Sequence, residues 1–174
     1  YQFYRKLTKL NAHITAGAVA NTNVIKAELY GDTTFGTTNT AIYSQFDINL
    51  NSSLKLSFGA RFENNILRTP EHFNCLKDPQ TGALDCDTIV GGRKQEAQPV
   101  FRSGLNYQIA KATFLRASWG QGYRYPTVAE QFVKTTFGGI PISPNIKLES
   151  EKGWSTEIAI KQGLRIKKYE GFID

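Results

Sequence analysis

Arg124 stands between Tyr123 and Tyr125, with Pro126 directly after it and Glu130 six residues on. A guanidinium in that setting can do two things. It can hold an anionic ligand through charge-assisted hydrogen bonds, or it can bridge to Glu130 or to a neighbouring strand. The bridge is the preferred reading. Gly120 and Gly122 precede it, but no helix start with Lys-Ser or Lys-Thr follows, so the phosphate-loop and dinucleotide readings fail. No Ser-His-Asp order and no paired-carboxylate signature stands out, which leaves catalysis without support. His13 and His72 are isolated and are assigned neither to a metal nor to a reaction.

The two cysteines, Cys75 and Cys86, share one polar loop containing Pro and Gly. Such a pair suits a disulfide formed outside the cytoplasm. Zinc is the competing reading. It would have to recruit His72, Asp78, Asp85 or Asp87, because no CxxC pair is present. Two free thiols are the third.

The elements that must position these groups show in the alternation. Residues 42–50 place Ile42, Ser44, Phe46, Ile48 and Leu50 on one side and Tyr43, Gln45, Asp47 and Asn49 on the other. Period two over nine or ten residues is a half-buried strand, not a helix. The same pattern recurs over 54–63, 101–109 and 154–161. Weaker strands are expected over 2–8, 12–27, 112–120 and 164–173, giving about eight in all. In 12–27 the apolar side flips near Asn21, and a bulge there is the expected cause. Arg61, Glu63, Arg102, Arg116, Glu157 and Lys161 fall on the side opposite the apolar residues.

Connections are expected to alternate in length. Short turns fall at 9–11, 51–53, 110–111 and 162–163, and long loops at 30–39, 64–98 and 121–152. Outer-membrane barrels have short periplasmic turns and long extracellular loops. With the long loops outside, both chain ends lie on the extracellular side, as in a slice of a larger barrel. Trp119, Trp154, Tyr107, Tyr123 and Phe132 near strand ends suit an aromatic girdle.

Composition is compatible with this. The mean hydropathy is slightly negative, and no run approaches the ~18 apolar residues of a membrane helix, but neither measure detects barrels. The chain has no Met and opens without a signal peptide, as a mature or cut fragment would. A net charge of +6 is spread along the strands without a nucleic-acid motif. Anionic lipid headgroups or an anionic ligand suit it better than nucleic acid.

Two segments carry a family resemblance. One is Trp-Gly-Gln-Gly-Tyr-Arg-Tyr-Pro-Thr-Val-Ala-Glu-Gln-Phe over 119–132. The other, over 144–158, contains Pro-Asn-Ile-Lys-Leu-Glu and then Trp-Ser-Thr-Glu. Together they resemble the late-barrel signature of TonB-dependent outer-membrane receptors. The likeness is strong over 111–163, moderate over 41–63, faint over 1–32 and absent in the cysteine loop. The sequence departs from the pattern at Ser143-Pro144-Asn145, where the usual order is Asn-Pro, and at Leu148 and Ser150.

The resemblance implies an all-β fold, a transmembrane antiparallel β-barrel of which residues 1–174 are about eight strands out of ~22 around a plug. The plug domain and the aromatic C-terminal strand would lie outside these residues. It implies an outer-membrane location, with the long loops extracellular and the apolar alternate set against lipid. The activity implied is transport, not catalysis: TonB-energised uptake of a scarce nutrient, chiefly a ferric siderophore or other metal chelate, with no resident cofactor. The TonB–ExbB–ExbD complex would act through the plug, and lipopolysaccharide would surround the wall. Arg61, Glu63, Arg102, Arg116 and Glu157 in the lumen, and Tyr123, Arg124, Tyr125 and Glu130 at the rim, would then face the plug or ligand. Loops 64–98 and 121–152 would help to capture the ligand. The alternatives are a small closed eight-stranded barrel and a soluble all-β binding module.

Overall fold

A computed structural model describes residues 1–77, 82–166 and 169–173. One eight-stranded antiparallel sheet dominates it. Its strands are β1 (Gln2–Leu7), β2 (Ala12–Ala27), β3 (Thr33–Asn49), β4 (Leu54–Thr69), β7 (Gly92–Ala110), β8 (Thr113–Arg124), β11 (Glu151–Ile166) and β12 (Tyr169–Ile173), neighbouring in that order. β1 and β12 are the two edges, so the described residues form an open wall and not a closed eight-stranded barrel. Two small hairpins stand apart from the sheet, β5 (His72–Lys77) with β6 (Leu84–Ile89) and β9 (Thr135–Phe137) with β10 (Ile140–Ile142). One short helix, α1 (Val128–Phe132), lies between β8 and β9.

The register turns the sequence alternation into two faces. Ile14, Phe46, Phe58, Ser103, Trp119 and Thr156 line up across six strands. One residue along, His13, Asp47, Ser57, Gly104, Ser118 and Glu157 line up on the other side. The first face is apolar and uncovered: Ile42, Trp154 and Ile158 are 63%, 73% and 72% exposed. A water-soluble domain would bury such a face against a second layer. Arg61, Glu63, Arg102, Arg116, Glu157 and Lys161 all fall on the polar face by register.

Packing concentrates at one end of the sheet. Phe35, Leu67, Ile89, Val128 and Phe132 form a buried cluster, with Ile25, Tyr30 and Tyr125 against it. Ile25, Phe35 and Leu67 come from the upper, polar-face positions of β2, β3 and β4. Ile89, Val128 and Phe132 come from the connections, which fold back over that face as a cap.

Several local expectations are corrected. β2 pairs with β3 without interruption from Ala12 to Ala27, so there is no bulge near Asn21. The apolar side flips because Ile25 turns toward the cap cluster. The predicted loop 30–39 is mostly strand: a 3₁₀ turn at Glu28–Tyr30 leads straight into β3, with left-handed Gly31 and Asp32 closing the corner. Predicted loop 64–98 is mostly strand once the extensions of β4 and β7 are taken together with the β5–β6 hairpin. Connection lengths therefore do not alternate as cleanly as expected, since the β2–β3 link is short. The predicted turn at 162–163 lies inside β11. Gly163 is required there because a Cβ would meet the Cβ of Ala112 at 2.9 Å, a close approach and not a turn.

Candidate functional site

The rim segment 123–132 is built around Arg124. Arg124 and Glu151 are the last pair of the β8–β11 ladder. Beyond them Pro126, which has no N–H to donate, ends the pairing. Thr127 then caps α1: the backbone N–H of Glu130 donates to Thr127 Oγ1, and the backbone N–H of Thr127 donates to the Glu130 carboxylate. This reciprocal box satisfies donors that a short helix leaves open.

Arg124 completes the bracket. Its Nη1 donates to both oxygens of Glu130 at 2.8 Å, while Nε and Nη2 donate to Glu151 at 2.9 and 2.5 Å. The guanidinium thus ties α1 to the first residue of β11. The Arg124 hydrogen bonds, followed by those from Thr127, pull the Glu130 carboxyl down to about 2. Arg124 also holds Glu151 below its ordinary value, and the two carboxylates raise Arg124 in turn. An incoming anion at Arg124 would have to displace one of two carboxylates.

Tyr123 and Tyr125 both lie near Glu96 but differ in their partners. Tyr123 Oη accepts from Asn65 Nδ2 at 3.2 Å, and its own O–H lies 3.5 Å from Ser150 Oγ, which can accept it. Ser150 also donates to Glu96 at 2.6 Å, so β4, β7, β8 and the loop before β11 meet here. Tyr125 packs against the cap cluster, and burial, then the Glu96 charge and Tyr123, push its phenol up to about 12. Its hydroxyl is buried without a partner among the described residues.

The remaining predicted residues lie lower on the polar face. Arg61 Nε donates to Glu63 two residues along the same strand. Arg102 lies flat across Gly59, where a Cβ would come within 2.6 Å of its Nε, and reaches Gln45 on β3. Arg116 and Glu157 line an open cavity of about 590 Å³ together with His13, Asp47 and Lys55. The predicted set is therefore three groups: a rim bracket, a mid-face pair with Arg102, and a lower polar cavity.

The cap brings in residues that the sequence did not single out. Lys134 is 2% exposed at its side chain and donates to Asp87 at 2.7 Å and Asp85 at 3.0 Å. Burial alone would lower its ammonium, but the two carboxylates outweigh that and the net shift is upward. Asn74 Nδ2 donates to the Phe132 carbonyl at 2.7 Å. Gln131, also buried, donates to the carbonyls of Pro126 and Thr127. Nothing in a loop Lys, Asn or Gln distinguishes these in sequence from solvated residues.

Cys75 and Cys86 face each other in the β5–β6 register and are joined in a disulfide. The zinc reading loses its thiolates by that bond. Asp85 and Asp87 hold Lys134, and the His72 ring nitrogens lie 2.9 and 3.0 Å from the carbonyls of Pro70 and Tyr30. Asp78 lies outside the described residues. His13 is not isolated in space: its Nδ1 is 2.5 Å from Tyr4 Oη, and the rings stack.

The family model described as TonB dependent receptor-like, beta-barrel, matches residues 1–171. No curated protein matches the sequence. Among solved structures, a double mutant of the Serratia marcescens hemophore receptor HasR, in complex with its hemophore HasA and heme, is similar with a TM-score of 0.69 at 12% identity. The likeness covers 94% of this chain and 28% of that one, so it speaks to the fold of a segment.

Proposed function

This chain belongs to the TonB-dependent receptor-like β-barrel family, and we propose that it is part of the wall and extracellular cap of an outer-membrane receptor that imports a scarce nutrient. The observation that carries this reading is the split between the two faces of a single-layer sheet. One face exposes Ile42, Phe58, Phe101, Trp154 and Ile158, a surface suited to lipid. The other is polar and is roofed at one end by folded loops. On this reading the cap end is extracellular, a plug sits against the polar face, and TonB with ExbB and ExbD supplies energy through that plug. The predicted charges on the polar face, Arg61, Glu63, Arg102, Arg116 and Glu157, are offered to plug or cargo.

The cargo we favour is a ferric siderophore or related metal chelate. The basic balance of +6 supports an anionic cargo. The HasR structure raises heme as the second candidate. Against it, both ring nitrogens of His72, the one His near the cap, already face backbone carbonyls.

The test uses the full-length receptor in an iron-starved Gram-negative host lacking its own receptors. Uptake of radiolabelled iron is measured with a ferric hydroxamate, a ferric catecholate and heme, each with and without a proton-gradient uncoupler. Uptake of one ferric chelate that the uncoupler abolishes is the expected result. Heme-only uptake would replace the cargo, and failure of every iron source would overturn the iron reading.

A further inference from the structure

The covalent link of the cap faces solvent. Cys75 and Cys86 are directly paired in the β5–β6 register, and both are exposed. Strand parity puts Phe73, Leu84 and Thr88 on the same outward side. Asn74, Asp85, Asp87 and Ile89 fall on the opposite side, toward the cap.

Each cysteine is therefore the chain neighbour of a group that grips the end of α1. Asn74 precedes Cys75 and donates to the Phe132 carbonyl at 2.7 Å. Asp85 and Asp87 flank Cys86 and accept from Lys134, just past α1, at 3.0 and 2.7 Å. Asn74 and the Lys134 side chain are buried. Buried contacts on one side of the hairpin are thus set by a bond on its solvent side.

The hairpin has little else to hold those grips in register. β5 and β6 pair only with each other, apart from the eight-stranded sheet. An isolated two-stranded hairpin is marginal in water. Its base is anchored by Ile89 in the core cluster and by His72 against Phe35. Beyond that base, the disulfide keeps Asn74 opposite Asp87 and Leu76 opposite Asp85. At its other end α1 has a hold of its own, since Arg124 ties Glu130 to Glu151. Loss of the disulfide frees one end of the helix and leaves the other fixed.

We propose that Cys75–Cys86 is a solvent-facing redox latch, and that an extracellular dithiol opens it to loosen the cap over the polar face while the wall stays intact. In the exchange, a thiolate of the dithiol attacks one cysteine sulfur and releases the other, which takes a proton. The second thiol of the reductant then displaces the sulfur still attached. Cys75 and Cys86 end as two thiols, and the dithiol ends as a disulfide. The supply of the dithiol from outside rests on the orientation given above.

The purified full-length receptor is treated with dithiothreitol without denaturant, new thiols are counted by alkylation and mass spectrometry, and hydrogen exchange is followed. Two thiols should appear, and exchange over 128–134 should quicken on the order of tenfold. Exchange in β8 and β11 should not change, and reoxidation should restore the slow rate. Cys75→Ser with Cys86→Ser should exchange fast from the start and ignore the reductant, with heat-modified gel mobility showing that its barrel is folded. No thiols, unchanged exchange over 128–134, equal quickening of the wall, or loosening that reoxidation does not reverse each overturns the latch. Intact cells are then treated with reduced thioredoxin, a dithiol too large to cross the outer membrane. The same two thiols are expected. Their absence on cells, with the purified receptor responding, would overturn the orientation, a separate result.

Discussion

The wall and the cap of this chain are stabilised by opposite means. In the wall, ladder hydrogen bonds satisfy the backbone, yet almost every side chain stays exposed or half-exposed, because one face awaits lipid and the other awaits water or a partner. In the cap, five side chains from four connections and strands close a small dry core, and a disulfide, a buried ammonium and a capped helix reinforce it. A wall of this kind derives its stability from the membrane and from barrel closure. The cap carries its own. The lesson is that the loops of this segment are the part that resembles a soluble protein, and they should respond to mutation as one.

The sharpest way to break the contrast is to hollow the cap. Phe132 is buried and tilts against Phe35 with ring centroids 4.7 Å apart. Phe132→Ala should cost the cap about 3–5 kcal/mol while leaving the barrel closed. Limited proteolysis of the full-length receptor should then cut the loops, and heat-modified gel mobility should be unchanged. Loss of the folded barrel together with the cap would show that the two regions are not separable.

A charge placed in the wall tests the other side. Phe58→Arg on the apolar face should destabilise the membrane-embedded barrel by about 2–4 kcal/mol. Ser57→Arg, one residue away on the polar face, should be tolerated. Urea titration in lipid vesicles separates the two, and equal costs would mean that the faces are assigned wrongly.

These two regions were also unequally legible in sequence. The wall strands were readable wherever one face meets lipid, as in Ile42 to Leu50 and Leu54 to Glu63, because burial on one side enforces period two. The same strands continue past the belt, but there both faces are wet or covered by loops. Thr33 to Asn39, Asn64, Asn65 and Gln95 carry no alternation, so the sequence predicts loop where the structure has strand. The Arg124 bracket was partly readable, since Glu130, six residues on, offers the guanidinium a carboxylate. Glu151 as its second partner was not, because that pairing depends on the β8–β11 register. Lys134 and Asn74 were invisible, as their burial comes from tertiary contacts between distant loops.

The buried ammonium gives a smaller effect with a built-in control. Asp85 and Asp87 are 78% and 44% exposed, so solvent screens the pair and the usual cost of breaking a buried ion pair must be discounted. Asp85→Asn with Asp87→Asn should destabilise the cap by about 1–2 kcal/mol, because Lys134 keeps its charge without a counter-ion. Lys134→Met removes the charge itself and should cost less. Loop protection in hydrogen exchange ranks them, and the reverse order would mean that the ion pair itself supplies net stability.

The smallest effect is the pH response of the rim bracket, and it separates Arg124 from the capping box. Glu130 has its carboxyl lowered to about 2 by Arg124 first and Thr127 second. A carboxylate lowered on folding adds stability that is fully present above its unfolded value of about 4.3. That contribution is lost as pH falls toward 2, so the bracket should loosen only in that acidic window and stay constant from pH 5 upward. The pair is exposed and salt-screened, so the change is modest and should shrink in high salt. Glu130→Gln keeps a side-chain acceptor for the Thr127 N–H, since Gln also serves in a capping box, but discards the charge that Arg124 grips. Hydrogen exchange of 127–132 between pH 5 and pH 2.5, corrected for the intrinsic rate, should therefore flatten in Glu130→Gln. A slope retained in the variant would transfer the acid response to Glu151, the other carboxylate that Arg124 holds down.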